Sequence, residues 1–146
     1  MSGLAIGSAR LLHTMLRVSD LGRALDFYVG KLGMRIVRRR EFPESGSTLV
    51  FLGYTDEESG TVLELTHNWD GRGYQLGTAF GHIAIGVPDV FAAATALAEA
   101  GVPILRQAGS LAGDPSEVIA FVEDPDGYRV ELIKRPGRLG GARSPA

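Results

Sequence analysis

The chain has 146 residues, of which 45% are hydrophobic and 22% are charged, with a formal net charge of −2 and no cysteine. This composition is typical of a globular protein of about one domain, long enough to form its core without disulfides or a structural metal. The lack of a basic stripe argues against a nucleic-acid partner, and the lack of cysteine excludes a disulfide framework and a thiol nucleophile.

Residues 1–9 show neither the basic start nor the long apolar stretch of a signal peptide. No apolar run in the chain approaches the roughly 20 residues that a membrane-spanning helix needs. We therefore expect a cytoplasmic protein that has no membrane partner. The arginine-rich segment 35–40 is expected to be a solvated strand edge rather than a polyanion site.

The first part of the chain predicts the order β-α-β-β-β. An apolar segment suited to a strand spans 11–18, and Ser19 or Asp20 can then cap a helix that Gly33 ends. Three more strands are predicted at 34–40, 47–54 and 60–68. One face of the predicted helix carries the apolar residues Leu21, Leu25, Tyr28 and Leu32.

The second part repeats this order. A strand at 82–87 precedes a helix that begins at Asp89, ends at Gly101 and has Val90, Ala94 and Leu97 on one face. Three further strands are predicted at 102–107, 116–124 and 127–135, the last two joined by the turn 124–127.

A doubled module predicts a doubled sheet. We expect an α+β fold in which two β-α-β-β-β modules form open, cupped barrel sheets. The ordered region is predicted to be one domain over 10–135, with repeat halves at about 10–68 and 80–135, and 136–146 is predicted to be a flexible tail.

Each half has a histidine on its first strand and a glutamate on its last. Strand periodicity places His13 with Met15 and Arg17, and Glu64 with Asn68, on common faces; His82 and Glu131 occupy the equivalent places in the second half. Both glutamates interrupt apolar strands, where a carboxylate is costly unless it is paired or bound to a metal.

A single strand histidine is usually structural and a single strand glutamate usually faces solvent, but four such residues at equivalent repeat positions favour a metal site. Two imidazoles and two carboxylates suit Zn, Ni, Co or Mn.

Other polar residues are assigned structural roles. His67 has no repeat partner and lies on the face opposite Glu64, so we expect it to be structural. Asp124 and Asp126 are expected to shape a tight turn rather than to form a catalytic pair.

The segments LLHTMLRVSDLGRALDFYVGKLGM, LELTHNW, FGHIAI and IAFVEDPDGYRVELI resemble the characteristic blocks of glyoxalase I (lactoylglutathione lyase), a family of the vicinal oxygen chelate superfamily. The resemblance runs from about Leu11 to Lys134. It implies a carbon–sulfur lyase that converts the hemithioacetal of methylglyoxal and glutathione to the S-lactoyl thioester, by proton transfer through an enediolate.

The resemblance also implies roles for individual residues. His13, Glu64, His82 and Glu131 would be the metal ligands of a homodimer whose sites each combine His13 and Glu64 of one subunit with the other two ligands from its partner. Glu131 would be the catalytic base, with Glu64 as a second catalytic carboxylate. Histidine at position 13 and the compact length favour nickel or cobalt, with zinc as an alternative. The substrate's carboxylates would be bound by Arg17, Asn68 and Arg106.

The chain departs from the family pattern in two places. The stretch 108–118, a mobile loop in the family, has no lysine and contains Asp114 and Glu117, and Thr78 stands where some members have arginine. The thiol is therefore left open between glutathione and another low-molecular-weight thiol, and the physiological aldehyde is open too.

Two alternative functions use the same scaffold. The first alternative is another enzyme of the superfamily, either an epimerase or an extradiol dioxygenase. A dioxygenase prefers two histidines and one carboxylate around iron, so four protein ligands disfavour that reaction. A metal-free drug-binding resistance protein is the other, and the paired histidine and glutamate positions disfavour it.

Overall fold

The computed structural model describes residues 3–137, which divide into two compact units, one ending at Tyr74 and the other beginning at Gln75. Each unit contains one four-stranded sheet and a helical segment, which confirms the predicted α+β class and the doubled sheet. Most of the predicted tail, residues 138–146, lies outside the described residues.

The first unit follows the predicted order of elements. Its strands pair in the order β1-β4-β3-β2, with β1 parallel to β4 and the other neighbours antiparallel. In chain order the elements are β1 (His13–Arg17), α1 (Leu21–Leu25), a π-helical segment (Asp26–Lys31), β2 (Arg35–Phe42), β3 (Ser47–Gly53) and β4 (Val62–Asn68).

The second unit repeats this topology. Its strands pair in the order β5-β8-β7-β6, again with the first strand parallel to the last. The elements are β5 (Ile83–Val87), α2 (Val90–Glu99), β6 (Ile104–Leu111), β7 (Asp114–Glu123) and β8 (Arg129–Lys134). In both units, therefore, the strand that begins the module lies beside the strand that ends it.

The helix after β1 differs from the single α-helix that the sequence predicts. The chain is α-helical only to Leu25 and then widens into the π-helical segment, where the Leu32 N–H donates to the carbonyl of Phe27. The wider turn rotates the buried face. Ala24, Phe27 and Tyr28 are buried, so of the predicted apolar face Tyr28 is fully buried, and the three leucines are half-buried.

Both helices begin at the expected aspartates. The Asp20 carboxylate accepts from the backbone N–H of Arg23, and the Asp89 carboxylate accepts from the backbone N–H of Ala92. The predicted apolar face of α2, Val90, Ala94 and Leu97, is buried. No helix among residues 3–137 combines the length and hydropathy that crossing a membrane requires.

The stretch 108–118 is not a loop, contrary to the expectation from the resemblance. Strand β6 continues to Leu111 and β7 starts at Asp114, so most of the stretch is a β-hairpin closed by two turn residues. Gly113 takes φ = +89°, a conformation that favours glycine and lets the chain reverse in so few residues.

The two faces of the first sheet have different environments. Leu16, Val50, Leu52, Leu63 and Leu65 point to one face and are all buried. The register places His13, Phe51 and Glu64 on the opposite face. The first face therefore belongs to the core of the unit. On the opposite face Phe51 and Glu64 are buried as well, while His13 is exposed.

The cap of α2 yields a direct test of this local structure. Replacing Asp89 by alanine leaves the Ala92 N–H without its carboxylate acceptor, and we expect a loss of about 1 kcal/mol in the free energy of unfolding. Glu99→Ala is the matched control, because Glu99 ends the same helix, where a negative charge gives no benefit. Chemical denaturation measures both; equal losses would contradict the capping role.

Candidate metal centre and active site

His13 and Glu64 meet across the parallel pair β1 and β4. Residues 13 and 15 stand opposite 62 and 64, so the two side chains are diagonal neighbours on one face. The His13 Nε2 lies 3.0 Å from the Glu64 Oε1, while the other carboxylate oxygen accepts from the Thr66 hydroxyl at 2.7 Å. Thr66, which shares this face, fixes the carboxylate's orientation.

His82 and Glu131 form the same arrangement in the second unit. The register places Ala84 opposite Glu131, so His82 again approaches the glutamate diagonally from the parallel neighbour strand. The His82 Nε2 lies 3.0 Å from the Glu131 Oε1. The structure thus brings together each histidine–glutamate pair that the repeat predicts, within its own unit.

Both pairs have a buried carboxylate and an open imidazole. The glutamate side chains are 11% and 13% exposed, whereas the histidine side chains of His13 and His82 are 36% and 40% exposed. Burying most of a carboxylate costs free energy unless it is paired or bound to a cation. In each unit the imidazole provides a partner, and its exposed edge leaves room for further ligands.

The donor set and its spacing fit a divalent first-row metal. Two donor atoms bound about 2.1 Å from one cation lie about 3.0 Å apart when they meet it at a right angle, and about 3.4 Å apart at a tetrahedral angle. The observed nitrogen–oxygen distance of 3.0 Å in each pair is an ordinary hydrogen-bond distance, and both atoms could reach one cation with little movement. Within residues 3–137, however, no group of three or more histidine, aspartate or glutamate side chains is assembled for a metal.

A phenylalanine supports the histidine in each unit, and sequence reasoning missed both. The Phe51 ring meets His13 edge to face with centroids 5.4 Å apart, and Phe121 meets His82 in the same way at 5.1 Å. Each phenylalanine also stands directly opposite the ligand glutamate on the neighbouring strand. The matching positions of LVFLG and IAFVE in the two repeats were the signal that could have revealed them.

The charged pair of Arg38 and Glu57 borders His13 and Glu64, which we call the first half-site; His82 and Glu131 are the second. Arg38 lies over Phe51, with its Cζ 3.9 Å from the ring centroid, and binds both carboxylate oxygens of Glu57 at 2.8 and 2.9 Å. These hydrogen bonds hold the pKa of Glu57 below its usual range and raise the pKa of Arg38. The negative charge of Glu64 also helps to raise the pKa of Arg38. Both groups are thus charged at neutral pH.

The expected thiol-binding residues of the first unit lie on the same face as its half-site. Arg17 ends β1 on the His13 side of the sheet, and Asn68 ends β4 on the Glu64 side. The Asn68 amide donates to the Tyr74 hydroxyl at 2.7 Å, so the amide oxygen is oriented by a residue that sequence reasoning did not select.

Arg106, the third expected substrate contact, is engaged with the backbone. Its guanidinium donates to four main-chain carbonyls at 3.0–3.4 Å, which belong to the hairpin of β6 and β7: those of Gln107, Gly109, Ser110 and Ile119. A carboxylate ligand would have to compete with these bonds. Arg106 stands opposite Phe121, as Arg38 stands opposite Phe51.

His67 and Asp124, for which we expected structural roles, make contacts that fit those roles. The ring Nδ1 of His67 lies 3.3 Å from the carbonyl of Val18, on the face away from Glu64. The Asp124 carboxylate accepts from the backbone N–H groups of Asp126 and Tyr128 at 2.9 and 2.8 Å, which confirms the turn.

A cavity of about 380 Å³ opens elsewhere in the second unit. It is lined by Pro88, Ser116, Glu117, Lys134, Arg135 and Pro136, and it contains none of the expected site residues. Arg135 and Glu117 neutralise each other across it at 2.8 Å.

Comparison with known proteins identifies the family of the chain. Residues 10–132 match the family model of the Glyoxalase/Bleomycin resistance protein/Dioxygenase superfamily. A lactoylglutathione lyase of Neisseria meningitidis serogroup A is 52% identical over 86% of this chain and 91% of its own length. One from Haemophilus influenzae is 52% identical over 90% of this chain and 97% of its own length.

Solved structures give the same relationship. A trypanothione-dependent glyoxalase I of Leishmania major superposes with a TM-score of 0.80 at 45% identity, over 92% of this chain and 93% of its own. Glyoxalase I of Zea mays gives a TM-score of 0.82 at 42% identity over 86% of this chain, which spans only 44% of the maize chain. The chain therefore belongs to the Glyoxalase/Bleomycin resistance protein/Dioxygenase superfamily and, within it, to the lactoylglutathione lyase (glyoxalase I) family.

Proposed function

We propose that this chain is a metal-dependent lactoylglutathione lyase, which isomerises the hemithioacetal of methylglyoxal and a thiol, with glutathione as the first candidate, to the S-lactoyl thioester. The observation that carries the proposal is the duplicated pair of imidazole and carboxylate, His13 with Glu64 and His82 with Glu131, each 3.0 Å apart. The curated relatives at 52% identity that are named lactoylglutathione lyase support this function.

The metal would be held by His13, Glu64, His82 and Glu131. When bound, a divalent cation supplies Lewis-acid stabilisation of the negative charge that grows on the substrate's oxygen as a proton leaves the adjacent carbon. Nickel or cobalt is our first choice and zinc the second, since histidine at position 13 and the compact length resemble the nickel- or cobalt-dependent members of the family.

The chain's own carboxylates would move the proton. Glu131 would take it from the carbon beside the carbonyl and return it one carbon away through the enediolate, and Glu64 is the second candidate for this work. A largely buried carboxylate, shielded from water, suits a general base. Glu64 is further fixed by Thr66, so Glu131, for which the geometry gives no equivalent threonine bond, is the better candidate to swing between carbons.

The site would be shared within a homodimer. Each unit provides two ligands, and no third acidic or histidine ligand joins either pair in residues 3–137. We propose that His13 and Glu64 of one subunit meet the partner subunit's His82 and the partner subunit's Glu131 around one cation. The family model over residues 10–132 supports treating 10–135 as a single functional domain.

The thiol would be bound at the end of the first half-site. Arg17 and Asn68 end neighbouring strands on the sheet face that carries His13 and Glu64, which we call the ligand face. There they offer a guanidinium and an amide to a peptide carboxylate. Arg106 would be a weaker contact, because its donors already bind carbonyls. We place the enzyme in the cytoplasm, where thiols such as glutathione are kept reduced.

Metal replacement tests the proposed function. Protein stripped of metal should form no thioester from methylglyoxal and glutathione, and separate addition of nickel or cobalt should restore turnover better than zinc does. The same samples should consume no oxygen with catechols, which separates this reaction from that of a dioxygenase. Full turnover without metal, or oxygen uptake in place of thioester formation, would contradict the proposal.

The proposed base gives a second test. Glu131→Gln removes the proton acceptor and keeps the side-chain volume, so we expect kcat to fall by about 10²- to 10⁴-fold with the fold intact by circular dichroism. Glu99→Gln, on the exposed end of α2, is the matched control and should leave kcat unchanged. Near-normal isomerisation by the Glu131 variant would rule out its role.

Subunit mixing tests the shared site. Inactive His13→Ala and inactive Glu131→Gln subunits, once exchanged, should regain about a quarter of wild-type activity, because half of the dimers then hold one intact site of two. Mixing His13→Ala with Glu64→Gln should recover nothing, since these ligands lie in the same unit. No recovery in the first mixture, after exchange is verified, would count against sharing.

A further inference from the structure

Three side chains form a row across the ligand face of the first sheet. The register aligns Arg38 on β2 with Phe51 on β3, and Phe51 with Glu64 on β4. Residues aligned in this way point to the same face, and neighbouring strands lie about 4.8 Å apart. The guanidinium of Arg38 therefore starts two strands away from Glu64, within reach of a long arginine side chain that lies flat over the intervening ring.

Glu57 determines where that guanidinium goes. It takes two of the arginine's donors in a bidentate pair, Nε to Oε2 at 2.8 Å and Nη2 to Oε1 at 2.9 Å. The bidentate geometry fixes both the position and the plane of the guanidinium. Glu57 is itself anchored, because its backbone carbonyl accepts from Arg10 at 2.6 Å.

Without Glu57, Arg38 would be free to move toward the Glu64 carboxylate, whose charge already acts on it. Opposite charges a few ångströms apart attract more strongly where the carboxylate is shielded from water, and the Glu64 side chain is only 11% exposed. An arginine bound to Glu64 would compete directly with a cation for the same oxygens. It would also tilt Phe51, against which the His13 ring rests.

We propose that Glu57 is a positioning residue for the metal centre: by restraining Arg38 in a bidentate pair, it keeps the Glu64 carboxylate available to a divalent cation. This inference rests on the proposed function, since it assumes that His13 and Glu64 bind metal. It adds a residue that touches neither metal nor substrate and acts through an arginine.

The second unit reaches the same result with a different restraint. Arg106 stands opposite Phe121, and Phe121 stands opposite Glu131, so the row of arginine, phenylalanine and glutamate is repeated. Here four backbone carbonyls hold the guanidinium, and no carboxylate is used. In both units the arginine that the register aligns with the phenylalanine and the ligand glutamate is bound to other groups.

Metal affinity in a double-mutant cycle tests the proposal. The metal-stripped homodimer would be titrated with Co²⁺ against a chromogenic chelator, for the wild type, Glu57→Gln, Arg38→Met and the double variant. We expect Glu57→Gln to weaken Co²⁺ binding about three- to tenfold, because it frees the arginine to pair with Glu64. Arg38→Met should bind about as well as wild type, and the double variant should return to within about twofold of it.

Glu41→Gln is the matched control. It breaks another ion pair on β2, that of Arg39 with Glu41 at 2.9 Å, but Arg39 stands opposite Val50 on the face away from Glu64. We expect this variant to bind Co²⁺ with unchanged affinity. Thermal unfolding of each metal-free variant is measured alongside, so that a loss of fold is not mistaken for a loss of affinity.

The outcomes separate the possible failures. Wild-type affinity in Glu57→Gln, with normal binding by the wild type, would overturn the inference and leave the proposed function intact. A double variant as weak as Glu57→Gln would show that Glu57 acts through something other than Arg38. If Arg38→Met tightens binding by the factor that Glu57→Gln weakens it, the two charges act independently and no restraint exists. No metal binding by the wild type would overturn the proposed function and the inference together.

Discussion

The contact between an imidazole nitrogen and a buried carboxylate oxygen, made once in each unit, is the interaction on which the rest of this site depends. It arises from topology: the first strand of each module lies parallel to the last, so a histidine at the start of one approaches a glutamate within the other. A carboxylate on a buried strand is otherwise unfavourable. The 3.0 Å contact gives each carboxylate a partner in both units, and the proposed metal centre rests on it.

The two half-sites are alike in their ligands and differ in what surrounds them. Glu64 has a threonine that fixes its second oxygen, and its neighbouring arginine is held by a carboxylate. Arg106, next to the second half-site, is held by backbone carbonyls instead. Duplication thus conferred the same pair of ligands on both units, while the residues that orient them differ. That difference is why we propose different roles for the two glutamates.

Much of the fold could be predicted from the sequence, because it follows from short-range rules. Alternation grouped His13 with Arg17 and Glu64 with Asn68 within their strands, and the register then shows that these groups share one face. Aspartates before apolar runs marked both helix starts. Sequence periodicity could not detect the π-helical segment, since a single wider turn changes the buried face without changing composition.

Long-range contacts were the part that could not be predicted. The hairpin over 108–118 depends on pairing between β6 and β7, whereas its glycines and polar residues are also typical of a loop. Phe51 and Phe121 resemble ordinary core residues until register places them beside the histidines. The partners of Arg38 and Arg106 could not be predicted from the sequence either. A long arginine side chain can reach many partners, and only the folded structure shows which ones it contacts.

The most direct test of the account is a crystal structure of the nickel-loaded protein, with anomalous diffraction measured at the nickel edge. The account predicts one anomalous peak per site, bonded to the imidazoles of His13 and His82 and the carboxylates of Glu64 and Glu131, with two ligands from each subunit. A peak bound by only one histidine–glutamate pair, or one located away from both pairs, would contradict it.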